Sequence, residues 1–441
     1  MKPDFPGHLP GFDVLRRIEA RGFPAFLVGG VVRDLLRGRA GEDVDIVTLA
    51  PPEVLRRLFA GAPEVGKAPL GVWVVPWEGG VAEVASCHPH SLEEDLARRD
   101  FTVNALALGV DGQLVDRSGG MEDLFRRRLR WNGDPRDRLR QDPLRALRLA
   151  RFAATLPGWS LDPGALAPCV PFAGALGEIP GERVGREMAR GLRGDPVLFL
   201  NLLERGGMLG AVWPELGALR DGRAPGERGD LLSHTLRVLG GVASLSPELR
   251  DRAGALWHDV GRGVGLRDDD PGAPSRDPGV LGARRAARRM ALWRWPRSLG
   301  RSVKALVRHH SLGGAPPSPE ELGRLVRRHG MAWLEGLLTL FWAHGQEGGS
   351  FALWWEAHRR EVLALRSRWE RWAGGRASGI GKVSGDVIRA LTGLPPGPAV
   401  GALKARLEEA VDRGEVTSEE EARIWLGRLS SEEGKEGPGR G

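Results

Sequence analysis

The chain is poor in cysteine. Only Cys87 and Cys169 occur among 441 residues. Two cysteines build no disulfide framework and their spacing suits no zinc site, so neither a disulfide-stapled secreted fold nor a zinc module is expected. Long apolar runs are also missing: nothing reaches the roughly 20 residues needed to cross a bilayer. The opening Met-Lys-Pro-Asp-Phe-Pro-Gly lacks the apolar segment of a signal peptide. These absences lead to the expectation of a cytoplasmic protein with no membrane partner. Lysine is scarce beside arginine. The end of the chain, residues 431–441, is rich in Ser, Glu, Gly and Lys and is expected to be disordered. What is present is ordinary globular material, 41% hydrophobic and 27% charged, on a length that suits two to four domains. The net charge of +7 and a pI near 10.1 favour a polyanionic partner, most simply nucleic acid. An arginine excess is also what a GC-rich codon usage produces, so charge alone leaves the partner open.

Residues 1–125 read as a mixed α/β unit. Helical spacing over 12–20 is followed by a strand at Phe26–Val28, a helix from Val31 to Arg37, and a strand over Asp43–Val47. Val72–Val75 and Val81–Val84 form a hairpin turned at Gly79-Gly80, and Val103–Leu108 is apolar. The sheet is expected to be mainly antiparallel or mixed. From about 126 onward arginine-rich helical periodicity dominates. Pro/Gly-rich stretches at 221–229, 268–282 and 312–318 read as loops or boundaries.

The chemistry concentrates in VGGVVRDLLRGRAGEDVDIV, residues 28–47. A strand ends in Gly29 and Gly30, where backbone N–H groups at a helix start can approach a phosphate. Asp43 and Asp45 are one residue apart on a strand, so both carboxylates face the same side. Such a pair is a hard oxygen site for Mg²⁺, and two ions there suit the activation of a hydroxyl and a triphosphate together. An isolated D-x-D would read as a solvated strand; the G-G-x-V-R-D just upstream makes this one specific.

With these residues in view, the chain resembles the polymerase β-like nucleotidyltransferases, and within them the class II tRNA nucleotidyltransferases, the CCA-adding enzymes and related poly(A) polymerases, in their bacterial HD-domain-containing branch. GGVVRD with DVD is similar to the family's first motif. RRDFTVNALA at 98–107 is similar to the second and GGMEDLFRRRLR at 119–130 to the hinge between head and neck. The resemblance implies that Gly29, Gly30, Arg33 and Asp34 serve the triphosphate, that Asp43 and Asp45 hold Mg²⁺ (or Mn²⁺) and are catalytic, and that Arg98, Arg99, Asp100 and Asn104 contact the incoming nucleotide.

In QDPLRALRLARF, residues 141–152, Asp142, Arg145, Arg148 and Arg151 recur every three residues, which predicts one helical stripe. By spacing alone this is a solvated ion-pair face. The resemblance turns it into the family's protein template, in which Asp142 and Arg145 read the base edge while Arg148 and Arg151 contact base or phosphate. A carboxylate accepts from the exocyclic amine of cytosine or adenine and is left unpaired by guanine or uracil. Gln141 stands where the family usually has Glu. ERVGRE, 182–187, is expected to buttress this helix through Glu182, Arg183 and Glu187.

Two departures refine the expectation. The stretch between Glu83 and Arg98 is shorter than in complete CCA-adding enzymes, and loss of that loop goes with addition of the two cytidines alone. The expected activity is therefore CC addition from CTP to the tRNA acceptor end, with complete CCA addition, A addition from ATP and poly(A) synthesis as alternatives. Further on, His234 and His258-Asp259 resemble the ligands of HD-type phosphohydrolases and would suit a divalent transition metal. Pro278 replaces the next expected His and Arg262 the usual Lys, so a degenerate metal site without hydrolase activity is expected. A metal-dependent phosphohydrolase using that trio and a non-enzymatic RNA-binding protein are the rival classes.

The expected architecture is α+β: a polymerase β-like head with a mixed sheet (1–125), an all-α neck with the template helix (126–220), an HD-like helical domain (221–345), and a helical tRNA-binding tail (346–430).

Overall fold

The computed structural model describes residues 9–39, 43–66, 71–222, 230–263, 277–310 and 319–345, and nearer the C-terminus 356, 359–360, 367, 383–412, 415–416 and 418–433. Of the segment 431–441 expected to be disordered, residues 431–433 instead end a helix, and the rest lies outside the described residues, as do Trp354, Trp355, Trp369 and Trp372. The chain forms two compact units, residues 1–308 and 309–441. Among the described residues no helix is long and apolar enough to cross a membrane.

The first unit opens with a seven-stranded sheet in the order β3-β4-β5-β2-β1-β6-β7. Its strands are β1 (Ala25–Val28), β2 (Val44–Thr48), β3 (Glu64–Val65), β4 (Val72–Trp77), β5 (Gly80–Ser86), β6 (Leu106–Gly109) and β7 (Leu114–Asp116). The β4–β5 hairpin closes with Trp77 opposite Gly80. The sheet is mixed: β2 runs parallel to β5, with Asp45 beside Glu83, and the other ladders are antiparallel. Helices α1 (Phe12–Glu19), α2 (Gly30–Leu36), α3 (Pro52–Leu58), α4 (Leu92–Ala97) and α5 (Gly120–Phe125) complete this head.

Alternation along the strands sorts the two faces. Leu27, Ile46, Trp73 and Val84 pack with Val14, Leu15 and Ile18 of α1 and Leu55 of α3 in the main core. Val28, Val47 and Ala107 face the other way, onto Cys87 and onto Leu92 and Leu96 of α4. Val44 and Ile46 belong to the main core, so Asp45 projects from the second face. Fully buried Asp123 of α5 ties the head to the segment that leaves it. It accepts from Thr102 Oγ1 at 2.6 Å, Arg128 Nε at 2.6 Å and Arg130 Nε at 2.8 Å.

Helices then take over: α6 (Pro135–Gln141), α7 (Arg145–Thr155), α8 (Gly181–Arg193), α9 (Pro196–Arg205), α10 (Leu209–Val212), α11 (Pro214–Gly217), α12 (Leu231–Leu245), α13 (Leu249–Trp257), α14 (Pro278–Leu292) and α15 (Arg297–His309). A two-residue parallel pairing, Arg128–Leu129 with Ser160–Leu161, interrupts them. Residues 278–282, expected to be part of a loop, are helical instead. Asp277 caps α14 by accepting from Gly279 N–H, and Pro278 at the first position has φ preset for a helix. Trp213, Trp257 and Trp293 meet edge-on or tilted in this region, with Trp213 4.7 Å from Trp257 and 4.9 Å from Trp293 between ring centroids.

In the second unit α16 (Pro319–His329) and α17 (Met331–Gly345) precede α18 (Gly385–Thr392), α19 (Pro398–Asp412) and α20 (Glu419–Glu433). The last three share a core built on Ile388, Leu403, Leu407, Ala422 and Leu426.

Candidate active site

Asp43 directly precedes β2 and Asp45 lies within it, and both carboxylates line one cleft of about 650 Å³. Asp45 is the more enclosed. Burial pushes its carboxyl up to about 6; Arg99 opposes this, while Glu83 and Asp43 add to it. Asp43 is open and lies 3.3 Å from Arg190 Nη2 of α8. A buried acid with a second acid close by, beside an accessible cleft, fits a divalent cation, because oxygen ligands of this kind gain most from a shared positive charge. Gly29 forms the wall beside them with φ 77, a left-handed conformation. A Cβ there would sit 3.0 Å from Arg99 Nη1 and 3.4 Å from Asp45 Oδ2, so a side chain would fill the space next to the acids.

Behind this wall runs a continuous charged lattice. Arg33 of α2 donates through Nε and Nη2 to both oxygens of Asp34 at 3.1 and 2.8 Å, and through Nη1 to Asn104 Oδ1 at 2.8 Å. Asn104 Nδ2 donates to Asp100 Oδ1 at 3.0 Å, an oxygen that also accepts from Phe101 N–H. The other Asp100 oxygen accepts from Arg148 Nε of α7 at 2.8 Å. Burial works against the Asp100 charge, but Arg148, Asn104 and the Phe101 amide outweigh it and hold the carboxyl below its ordinary range. Asp100 is thus committed to internal partners and joins the sheet-bearing part of the first unit to α7. Arg148 continues to Glu187 of α8 at 3.7 Å, and Glu187 accepts from Arg151 Nε at 2.8 Å.

One buried ring collects three of these cations. The guanidinium carbons of Arg151, Arg33 and Arg148 lie 3.5, 5.1 and 5.4 Å from the Phe152 centroid. Phe152 in turn meets Phe101 edge-on at 5.5 Å.

The expected single helical stripe is split. Asp142 is not helical (φ −156, ψ 102); it caps the end of α6, and α7 begins at Arg145. The cause is Pro143, which excludes the α conformation from the residue before it. Asp142 Oδ2 accepts from Arg183 Nη2 at 2.7 Å, while its Oδ1 accepts from Leu144 N–H at 3.2 Å. Arg145 is steadied by the Arg98 carbonyl at 2.8 Å and Gln141 Oε1 at 2.9 Å. Gln141 therefore supplies a neutral acceptor from the position where the resemblance expected Glu. Of the three residues expected to buttress, Arg183 and Glu187 reach the α6–α7 segment, whereas Glu182 pairs with Arg186 on its own helix.

The cleft brings together Gly29, Gly30, Arg33, Asp34, Asp43, Asp45, Arg99, Asp100, Asn104, Asp142, Arg145, Arg148 and Arg151. Arg98 does not line it and contributes its carbonyl to Arg145 instead. Sequence reasoning missed Arg37 and Arg39 after α2, Phe152 and Thr155 on α7, and Arg190 on α8. Only the helical phase of Arg190, seven residues after Arg183, could have pointed to it. Among the described residues, nine arginines and five aspartates face the cleft, a positive balance that suits a polyphosphate.

Apart from the cleft, His234 of α12 and His258-Asp259 after α13 meet in the interior. The two Nε2 atoms are 3.2 Å apart, and Asp259 Oδ2 is 3.4 Å from His258 and 3.8 Å from His234. Burial opposes charge on His258, but Asp259 and the Ala255 carbonyl prevail and raise its pKa. The donor set suits a transition metal, but Arg262 Nε already sits 2.8 Å from Asp259 Oδ1.

Residues 25–88 and 75–130 match the poly A polymerase head domain family. The chain is 35% identical, over 95% of its own length and 98% of the relative's, to the A-adding tRNA nucleotidyltransferase of Deinococcus radiodurans. It is 38% identical to the CC-adding tRNA nucleotidyltransferase of Shouchella clausii over 42% of this chain and 49% of that one. Among solved structures, the Bacillus stearothermophilus CCA-adding enzyme in complex with CTP superposes with a TM-score of 0.60 at 27% identity, covering 96% of this chain and 98% of that chain.

Proposed function

Since the chain belongs to the class II tRNA nucleotidyltransferases, we propose that it extends the 3′ end of tRNA with nucleotides of one kind, cytidines from CTP. The attacking group is the primer's terminal hydroxyl. Its oxygen bonds to the α-phosphorus, the bond from that phosphorus to the oxygen bridging to the β-phosphate breaks, pyrophosphate leaves, and the hydroxyl proton passes to water. Arg33, Arg99 and the Gly29-Gly30 wall position the triphosphate; Asp142 and Arg145 meet the base edge. Asp100 and Asn104 keep the two groups in register, so the chain's work is mainly orientation and fixed electrostatics. Divalent cations, Mg²⁺ or Mn²⁺, when held by Asp43 and Asp45 would supply Lewis-acid stabilisation of the oxygens that gain charge.

The observation that carries the single-nucleotide reading is the connection from β5 to Arg98. It is spent on a short turn and on α4, which Ser91 and Glu94 close with a reciprocal capping box. No span is left for a loop that could re-aim Asp142 between cytosine and adenine. A addition from ATP is the second reading, favoured by the full-length likeness to an enzyme named A-adding. The test offers tRNA lacking its last three nucleotides, and tRNA ending in CC, each with CTP or ATP. The proposal expects two cytidines on the first substrate and no ATP use. Adenosine added only to the CC-ended substrate supports the second reading, and CCA completion contradicts both. The His234/His258/Asp259 trio has no part in this chemistry: Asp43→Ala is expected to abolish incorporation, whereas a phosphohydrolase acting through the trio would survive it.

A further inference from the structure

Between Pro278 and Arg308 the chain carries nine basic side chains and no acid, an excess above the +7 of the whole protein. The remainder of the molecule is therefore slightly acidic on balance, and the basicity is local. Val303, Leu306 and Val307 bury one face of α15. Arg297, Arg301, Lys304 and Arg308 recur at i, i+4, i+7 and i+11 and are all exposed. Helix geometry sets them on one ridge about 16 Å long, with neighbouring side chains roughly 5–6 Å apart. Arg294 leads into the ridge. It is exposed and holds φ 53, rare for a residue with a side chain, between the buried indoles of Trp293 and Trp295. None of these five cations forms an ion pair among the described residues. An ordinary solvated helix face intersperses signs, as α8 does with Glu182–Arg186 and α20 with Glu419–Arg423.

The position of the ridge is equally informative. The α14–α15 turn is pressed onto α8. A Cβ at Gly181 would lie 2.2 Å from the Leu292 carbonyl oxygen, and one at Gly185 would lie 2.4 Å from that of Trp293. Trp295 Nε1 donates to the Gly185 carbonyl at 2.9 Å. By helical phase Gly181 and Gly185 lie opposite Arg183, Glu187 and Arg190, the row that α8 turns toward the cleft. One helix, about 10 Å across, separates the start of the ridge from the site.

We propose that the α14–α15 ridge binds the sugar-phosphate backbone of the tRNA stem whose 3′ end occupies the cleft. This rests on the tRNA reading above and adds the surface that holds the substrate's body. Contacts of this kind fix register and supply affinity without reading sequence. The test compares Arg297→Gln/Arg301→Gln/Arg308→Gln with a charge-matched control, Arg16→Gln/Arg21→Gln/Arg57→Gln, in the full chain, after thermal melts establish that both are folded. The ridge variant is expected to bind tRNA at least tenfold more weakly at low salt. Its dependence of log affinity on log salt should be shallower by about 2 to 3, with kcat at saturating tRNA within twofold of the parent. A ridge variant indistinguishable from the control in affinity and salt slope overturns the proposal, as does a fall in kcat with unchanged tRNA affinity. A parent protein that binds tRNA but incorporates no nucleotide would sink the functional reading and leave the ridge comparison intact.

Discussion

Asp45 is charged at a cost. Its carboxyl titrates at about 6 against an ordinary 3.8, chiefly through burial and its acidic neighbours. Because the folded value is the higher one, the residue's contribution to stability is fully present below about 4 and is lost as pH rises through 6. A cation relieves that burden only when the acid is ionised. Thermal melts with and without Mg²⁺ should therefore show a larger stabilisation at pH 7.5 than at pH 5.5, and Asp45→Asn should erase the difference. Phe152 carries the other residue-scale prediction. Cation–π contacts to three guanidiniums contribute about 0.5–2 kcal/mol each. Phe152→Leu keeps an apolar filler but loses the ring face, so KM for the nucleotide should rise about 5–10-fold, with Phe152→Tyr near the parent. An unchanged KM in the leucine variant would remove Phe152 from the positioning of Arg33 and Arg148. At this scale the gathering of the acid pair, the glycines, Asp142 and Arg145 around one cleft was legible, since each sits inside a short motif. Phe152 and Arg190 were not: a ring on an amphipathic helix gives no local sign of what it meets, and Arg190 is signalled only by its helical phase with Arg183.

Among elements, the break between α6 and α7 matters most. Period-three spacing suggested one helix, but Pro143 decides otherwise, and the two-letter signal Asp-Pro was present in the sequence. The extended Asp142 lets its carboxylate be fixed from outside by Arg183 rather than wander on a helix face. Pro143→Ala permits α6 to continue through Asp142 and turns that carboxylate. Discrimination of CTP from UTP, read as a ratio of kcat/KM values, should fall by about tenfold, the scale of one lost polar contact. A preserved ratio would show that the break does not set base choice. Likewise, the loop expected over 278–282 gave way to α14 because Asp277-Pro278 forms a start signal that a Pro/Gly count conceals.

For the whole molecule, α8 is the shared partition, with the cleft on one side and the α14–α15 turn on the other. Gly185→Ala would drive a methyl group into the Trp293 carbonyl. Overpacking of this kind costs about 1–3 kcal/mol, so the melting temperature should drop by several degrees, with tRNA affinity falling alongside. An unaltered melt would mean the turn gives way easily. The order of the sheet was beyond sequence reasoning. Only folding brings β2 beside β5, and with it Glu83 beside Asp45, because the parallel pairing joins strands more than thirty residues apart.

The proposed function assigns a division of labour: Asp43 and Asp45, at the start of β2 and within it, would carry the transfer chemistry while the arginine lattice would carry binding. The sharpest check is pyrophosphate release by Asp45→Asn, measured with saturating tRNA and CTP (or ATP, should that prove the substrate). A rate at least a thousandfold below the parent is expected, on the order of 4 kcal/mol, with tRNA affinity unchanged. Release within tenfold of the parent would mean that the acid pair does not carry the chemistry.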